Sequence, residues 1–298
     1  MSATTHSLVE SAPPAPVAGW RQALEAIVRR PVALVSAVVL LLVVTAAIAG
    51  PLIAPFPANA VDLSRALQPP STEHWFGTDD LGRDVFSRIV LAARVSMLVS
   101  VVSVTIAFVV GVTLGLVAGY AGGWADTLAM RAVDVMFAFP VLLLALAIVA
   151  ILGPGLTTAM IAIGVVYTPI FARVARASTL SVREESYVRA ARGMGARPLG
   201  IVVRHVLPNV AAPLIVQTSL SLAFAILSEA ALSFLGLGVQ PPEPSWGRML
   251  FDARGYLDQA WWMAVFPGLA VFVTVLAFNL LGDTLRDVLD PSGREVRR

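Results

Sequence analysis

Six apolar runs, each about as long as a bilayer's hydrocarbon core is thick, leave this chain few ways to fold. A helix rising 1.5 Å per residue needs ~20 such residues to cross ~30 Å of hydrocarbon. The runs cover residues 32–53, 95–120, 132–152, 156–174, 210–235 and 262–282. In lipid a backbone must satisfy its own hydrogen bonds, so runs of this length become helices. The expected fold is an all-α integral membrane protein with six transmembrane helices. Composition agrees: 57% of the 298 residues are hydrophobic and 13% are charged, too little charge to cover a water-facing surface. Pro31 suits the first turn of the first run, Gly50-Pro51 marks its exit, and Pro140 predicts a kink in the third. The first run is longer than the apolar core of a signal peptide, and about 30 residues precede it, so it reads as a retained span. Residues 1–28, with Pro13, Pro14 and Pro16, read as a disordered tail, 29–291 as one six-span domain, and 292–298 as a second tail.

All 21 basic residues are arginine. With the N-terminus in the cytoplasm, fifteen of them fall inside and six outside, the bias that membrane insertion favours. Both termini are then cytoplasmic, and two longer loops, 54–94 and 236–261, face outward as ordered loops with short helices. A chain without lysine cannot supply the P-loop lysine that reaches the phosphates of ATP, so any ATP hydrolysis belongs to a partner. The absence of cysteine excludes disulfides and thiolate metal sites. His6, His74 and His205 lie far apart in sequence and have no metal-ligand spacing, so neither metal nor cofactor is expected in this chain.

Few ionisable residues lie in the spans. Asp134 and Asp283 sit at inner ends, and Glu229 lies near the outer end of the fifth. No chain of Asp, Glu or His crosses the bilayer, which argues against a proton-coupled secondary transporter. No His lies within a span to pair with a serine, and no Asp pair lies at depth, which argues against a membrane protease. Glu229 with Ser228 is a candidate for the translocation path; alternatively Glu229 is satisfied by Ser228, Ser233 or nearby backbone. Gly111, Gly115 and Gly119 line one helix face, suited to close packing within this chain or against a second membrane subunit.

The stretch 175–208 breaks the apolar pattern. Seven arginines lie between Arg173 and Arg204. It reads as two short helices. Val182, Tyr187, Ala190, Ala191 and Met194 form the apolar face of the first, which Gly193 and Gly195 end. Pro198 opens the second, with Leu199, Val202, Val203 and Val206 on its apolar side, and Pro208 starts the fifth span. A compact helix–turn–helix can transmit a push. A loop that only holds topology and touches anionic lipid is the plainer alternative.

Here the sequence resembles the permeases of ATP-binding-cassette (ABC) importers. Arg189-Ala190-Ala191, then Arg192 to Met194, Gly195, nine residues, His205, Val206 and Leu207-Pro208 reproduce the spacing of their cytoplasmic EAA–Gly–Ile–Leu-Pro motif, with Arg189 in place of Glu and His205 in place of Ile. Phe76 to Asp84 (FGTDDLGRD), Arg204 to Asn209 (RHVLPN), Leu232 to Pro242 (LSFLGLGVQPP) and Gly282 to Pro291 resemble the dipeptide/oligopeptide/nickel branch, and the layout resembles its C-type subunit (DppC/OppC-like).

The resemblance covers about Arg29 to Pro291. It implies a type I permease whose coupling helix is formed by Tyr187, Arg189, Ala190, Ala191, Arg192, Gly195, His205, Leu207 and Pro208. It also implies two separate ATPases carrying ATP and Mg2+, a second (B-type) permease, an external solute-binding protein, and a place in the inner membrane of a prokaryote. The implied cargo is di- or oligopeptides; glutathione and nickel chelates are alternatives, and a secondary transporter or channel is a more distant one. The segment Phe76–Arg88 is expected to form a short amphipathic helix at the outer surface. There Asp79, Arg83 and Asp84 would contact the other permease or the binding protein, or else the segment plugs this chain's own spans.

Overall fold

The computed structural model describes residue 25 and residues 27–289. Apart from residues 25, 27 and 28, the two tails expected from the sequence lie outside the described residues. Within residues 31–289, ten helices follow in order: α1 Pro31–Ile53, α2 Val85–Ala121, α3 Gly123–Phe137, α4 Val141–Leu152, α5 Leu156–Arg183, α6 Ser186–Gly193, α7 Pro198–Ile201, α8 Leu207–Phe234, α9 Trp246–Ala253 and α10 Trp262–Leu289. A 3-10 turn, Leu63–Arg65, interrupts the first outer loop, and a π turn, Val202–Val206, joins α7 to α8. Five helices are long and apolar enough to cross a membrane, α7 through α8 counted as one, and a sixth crossing is available if α3 and α4 form one bent span.

Several boundaries differ from expectation. The third span does not kink at Pro140 but breaks, with α3 and α4 bent by 92°. Proline removes an amide donor and pushes the preceding residue away from the helical region. Here Phe137, Ala138, Phe139, Pro140 and Val141 are all exposed, so no packing within this chain holds the helix straight. Pro169 also lies inside a helix, but it is buried and α5 runs through it. Next, α2 starts ten residues before the apolar run. Asp84 caps it by accepting a hydrogen bond from the Ser87 amide at 2.7 Å. Finally, α5 runs nine residues past Val174, because its arginines find partners as it leaves the lipid. Arg173 reaches Asp134 at 2.7 Å, Arg176 reaches both Asp126 oxygens at 2.5 and 2.7 Å, and Arg183 donates to the Gly119 carbonyl at 2.7 Å.

The glycine stripe packs within this chain. A Cβ on Gly111 would sit 2.5 Å from the Thr168 carbonyl oxygen and 2.7 Å from the Phe171 Cβ. One on Gly115 would meet the Ala172 carbonyl at 2.4 Å and the Ala175 Cβ at 2.7 Å, and one on Gly119 the Thr179 Cβ at 2.9 Å. From the other side, Gly164 admits Ile106. Residue numbers rise together along this seam, so α2 and α5 run parallel, and their contact is the most extensive between any two helices. Beside the seam lies a main core that includes Val104, Ala107, Ile163, Phe171, Ile201 and Leu214. A second cluster, including Leu40, Ala92, Ile226, Trp246 and Phe278, joins α1, α2, α8, α9 and α10.

This seam predicts a steep dependence on side-chain volume. Gly115→Val is expected to destabilise the solubilised protein by about 1–3 kcal/mol or to abolish its accumulation, as overpacking does. Gly255→Ala, at a glycine with open space around its Cβ position, is expected to be neutral. Thermal unfolding followed by size-exclusion chromatography of the detergent-solubilised variants checks both.

Candidate functional site

Between α5 and α8 the chain makes a tight, fully ordered turn. Two residues, Glu184 and Glu185, separate α5 from α6, and four separate α6 from α7. The second of those four, Gly195, has φ +79°. The Ala196 amide donates to the Ala191 carbonyl at 3.1 Å and the Gly195 amide to the Arg192 carbonyl at 3.0 Å. This is the paired closure of a helix end that needs a left-handed residue at the position Gly195 holds. A Cβ there would touch nothing within 4 Å, so backbone conformation, not space, favours glycine.

Beyond the turn the chain does not restart at Pro208 as expected. Pro198 to Phe234 forms one continuous 37-residue rod. Pro208 cannot donate to the carbonyl four residues back, and just before it the helix widens, with the Leu207 amide donating to the Val202 carbonyl five residues back. The apolar positions expected from periodicity are also corrected. Val188, Ala191, Ile201 and Val206 point inward and join the main core. Tyr187, Met194, Leu199, Val203 and Leu207 are exposed, Met194 by 82% and Leu199 by 75%. Arg189, Ala190, Arg192, Arg197, Arg204 and Pro208 are exposed around them, and His205 is half-buried with its ring 6.3 Å from that of Tyr187. The Arg192 guanidinium lies 5.4 Å from the Tyr120 ring centroid, tying α6 to the end of α2. Burial, and then the nearby Glu185 charge, push the Tyr187 phenol above its ordinary range, so it stays a neutral donor. The turn therefore presents an apolar surface ringed by arginines, on a base rigidly fixed to two long helices. Ala191 belongs to that base and not to the presented face.

The outer-loop residues fall elsewhere. Phe76–Arg88 is not a separate amphipathic helix: Phe76–Asp84 is a tight loop bridged between Thr78 and Asp84, and Val85–Arg88 is the first turn of α2. Asp79, Arg83 and Asp84 are buried with partners inside this chain, which corrects their assignment as surface contacts. Asp79 accepts from the Leu81 and Arg83 amides at 2.9 Å each and from Arg83 Nε at 2.6 Å. Asp84 pairs with His74 Nδ1 at 2.9 Å while capping α2. Trp262 Nε1 donates to the Thr78 carbonyl at 3.0 Å, and Phe76 stacks on Phe266 at 4.0 Å, so the loop plugs the outer end of α10. Gly82, at φ +72°, is fixed by the Asp62 carbonyl, which a Cβ would approach to 1.8 Å. Burial, and then neighbouring Asp79, push the Asp80 carboxyl above the usual range.

Glu229 does not line an open path. It is fully buried, accepting from Ser233 Oγ at 2.8 Å and Ser96 Oγ at 3.2 Å. Ser96 in turn accepts from the Trp246 amide, and Ser233 from the Val239 amide. Ser228 pairs with the Tyr167 hydroxyl at 3.1 Å. Sequence alone could not show this hub, because its members come from α2, α8 and the start of α9.

Comparison with known proteins places this architecture. A family model described as "Binding-protein-dependent transport system inner membrane component" matches residues 111–295, and one described as "N-terminal TM domain of oligopeptide transport permease C" matches residues 19–70. The chain is 47% identical over 275 residues to a dipeptide transport system permease protein DppC from Alkalihalophilus pseudofirmus, covering 92% of this chain and 90% of that protein. It is 45% identical over 273 residues to a glutathione transport system permease protein GsiD from Pectobacterium atrosepticum, covering 91% of each. Among solved structures, an inward-facing MetNI methionine ABC transporter superposes with a TM-score of 0.58 at 20% identity, over 69% of this chain and 98% of that one, which shows a shared fold.

The Glu229 hub separates two roles for that carboxylate. Glu229→Ala leaves buried serines without their acceptor and is expected to destabilise the protein by about 1–3 kcal/mol, with Glu229→Gln losing less. Thermal stability and uptake are measured together. Normal stability with selectively reduced uptake would return Glu229 to the translocation path.

Proposed function

Because the chain belongs to the inner-membrane components of binding-protein-dependent transport systems, we propose that it forms half of the translocation pathway of an ATP-driven peptide importer, coupled to a separate ATPase through the turn between α5 and α8. The observation that carries this is the rigidity of that turn together with its exposed surface. Soluble-exposed Met194 and Leu199 on a helix end at the arginine-rich side of a membrane protein need a partner to cover them. The surrounding arginines suit a cleft lined with carboxylates, which their planar guanidinium groups engage with two parallel hydrogen bonds.

Movement follows from the geometry. A displacement of α6 cannot be absorbed by slack, because the links on either side have two and four residues. It passes into α5 on one side and into the Pro198–Phe234 rod on the other. The glycine seam then carries α5 motion to α2. ATP and Mg2+ bind on the partner ATPases, a second permease completes the pathway, and a solute-binding protein delivers cargo from outside. The assembly sits in the inner membrane of a prokaryote. Peptide cargo is supported by the two relatives, one named for dipeptides and one for glutathione, itself a small peptide. The second name keeps glutathione as the specific competitor to dipeptides.

The decisive test uses the reconstituted complex with its ATPases, second permease and binding protein. Gly195→Val forces a β-branched residue into a left-handed conformation, a local cost of about 1–2 kcal/mol. It is expected to lower uptake per ATP hydrolysed by tenfold or more while the complex still co-purifies. Gly195→Asn, which tolerates that conformation, is expected to keep most coupling. Met194→Glu with Leu199→Glu is expected to weaken retention of the ATPase. A Gly195→Val complex that assembles and transports like the parent would refute this role for the turn.

A further inference from the structure

We propose that α3, the cytoplasmic arm of the bent α3–α4 span, is hinged and latched to α5 by Arg176–Asp126 and Arg173–Asp134, and that the latch must open in each transport cycle. This rests on the coupling role assigned to the turn after α5, and it assigns a moving part to that mechanism.

Four features of α3 set it apart from the other helices. First, it is poorly buried: Val133 is its one buried residue, whereas α2 and α5 bury long stripes. Second, both of its ends are built to pivot. Gly122 and Gly123 adopt φ +67° and +59°, and a Cβ on Gly123 would meet nothing within 4 Å, so this corner is open as well as left-handed. At the other end, Pro140 breaks the chain into a 92° bend among exposed residues. Third, α3 is fastened to α5 by charge. Arg176 grips Asp126 with two hydrogen bonds of 2.5 and 2.7 Å, and Arg173 reaches Asp134 at 2.7 Å while lying 3.9 Å from the centre of the Phe137 ring. These pairs stand at opposite ends of α3, eight residues apart. Fourth, the arginines belong to the helix that runs directly into the coupling turn.

The chemistry of the latch suits repeated opening. The Arg173–Asp134 pair is half exposed, with side chains 51% and 56% accessible, and Arg176 and Asp126 retain 32% and 18%. Ion pairs in contact with water exchange protein partners for solvent at little net free energy. A buried pair would not, since separation would strand a charge. The outer loop shows that contrast in the same molecule. There Arg83 and Asp79 are 10% and 6% accessible and hold a fixed plug. The coupling turn also touches the hinge itself. Arg183 donates to the Gly119 carbonyl and Arg192 lies over Tyr120, three and two residues before Gly122. A push on α6 therefore reaches the Gly122-Gly123 pivot and the latch arginines together.

The chain contains no cysteine, so paired cysteines can be introduced without background. An arginine–carboxylate pair spans more than a direct disulfide can bridge. Asp126→Cys/Arg176→Cys is therefore closed with a short, reducible bis-methanethiosulfonate reagent in the reconstituted complex. Uptake is expected to fall at least tenfold on crosslinking and to return on reduction, with the complex intact throughout. Uptake by the crosslinked complex equal to that of its reduced form would overturn the proposal. Asp134→Cys/Arg173→Cys, at the more exposed pair, repeats the test if the first variant does not assemble. The exchange Asp126→Arg/Arg176→Asp is expected to restore uptake lost in Arg176→Asp alone, and failure to restore it counts against an ionic latch. Because Gly195→Val tests coupling without touching α3, loss of the latch with coupling preserved is distinguishable from loss of both.

Discussion

The close approach of α2 to α5 is the contact on which the rest of the molecule depends. Three glycines let the backbone of one helix touch the other along its cytoplasmic half, and Gly164 returns the arrangement toward the outer end. Lipid offers no hydrophobic force between helices, so this intimacy has to come from van der Waals packing of small residues. The arginine-rich side of the molecule hangs from it. The seam fixes α5, α5 carries Arg173, Arg176 and Arg183, and the same helix ends at the turn between α5 and α8. Pro169 stays within α5 because the seam encloses it. Pro140, on an uncovered stretch, opens into a corner.

Charge is treated differently at the two ends of the molecule. Outside, Asp79, Arg83, Asp84, Arg88 and His74 are buried together, and their partners are backbone amides and carbonyls, one another and neighbouring charged side chains. Such a network is costly to open and fixes the loop between α1 and α2 as a plug over α10. Inside, the arginines stay near water. Their pairs lie near water, and Arg189, Arg197 and Arg204 form no ion pair among the described residues. The Glu229 hub lies between these regimes: a single carboxylate, enclosed by serines, that joins α2, α8 and the segment leading into α9.

Much of this was legible from residues alone. The apolar runs located the five long apolar helices and the bent α3–α4 pair, because a lipid-exposed segment must be both long and apolar. Gly195 marked the turn between α6 and α7, because helix closure of that type leaves a glycine signature. Faces were less legible. Periodicity grouped Tyr187, Ala191 and Met194 on one apolar face and Leu199, Val203 and Val206 on another, yet Ala191 and Val206 are buried while the other four are exposed. A helix end that docks on another protein is apolar on both faces, so amphipathic contrast loses its direction. The loop around Asp79 was misjudged for a related reason. A string of charges beside glycines reads as a solvated surface unless the partners that bury it are known, and here they include Trp262, nearly two hundred residues away.

By itself, then, the sequence determined the class of the protein, the order of its long apolar segments, and the position of the arginine-rich turn that interrupts them. These follow from local quantities: hydrophobic length, arginine asymmetry and the backbone freedom of glycine. Only the tertiary structure decided that Pro140 breaks a span while Pro169 does not, that the glycine stripe faces α5, and that Glu229 is enclosed. It also decided which arginine meets which aspartate. Those outcomes depend on what lies across the gap from each residue, and in a membrane, where most side chains on every side are apolar, the sequence pattern carries little record of the neighbour.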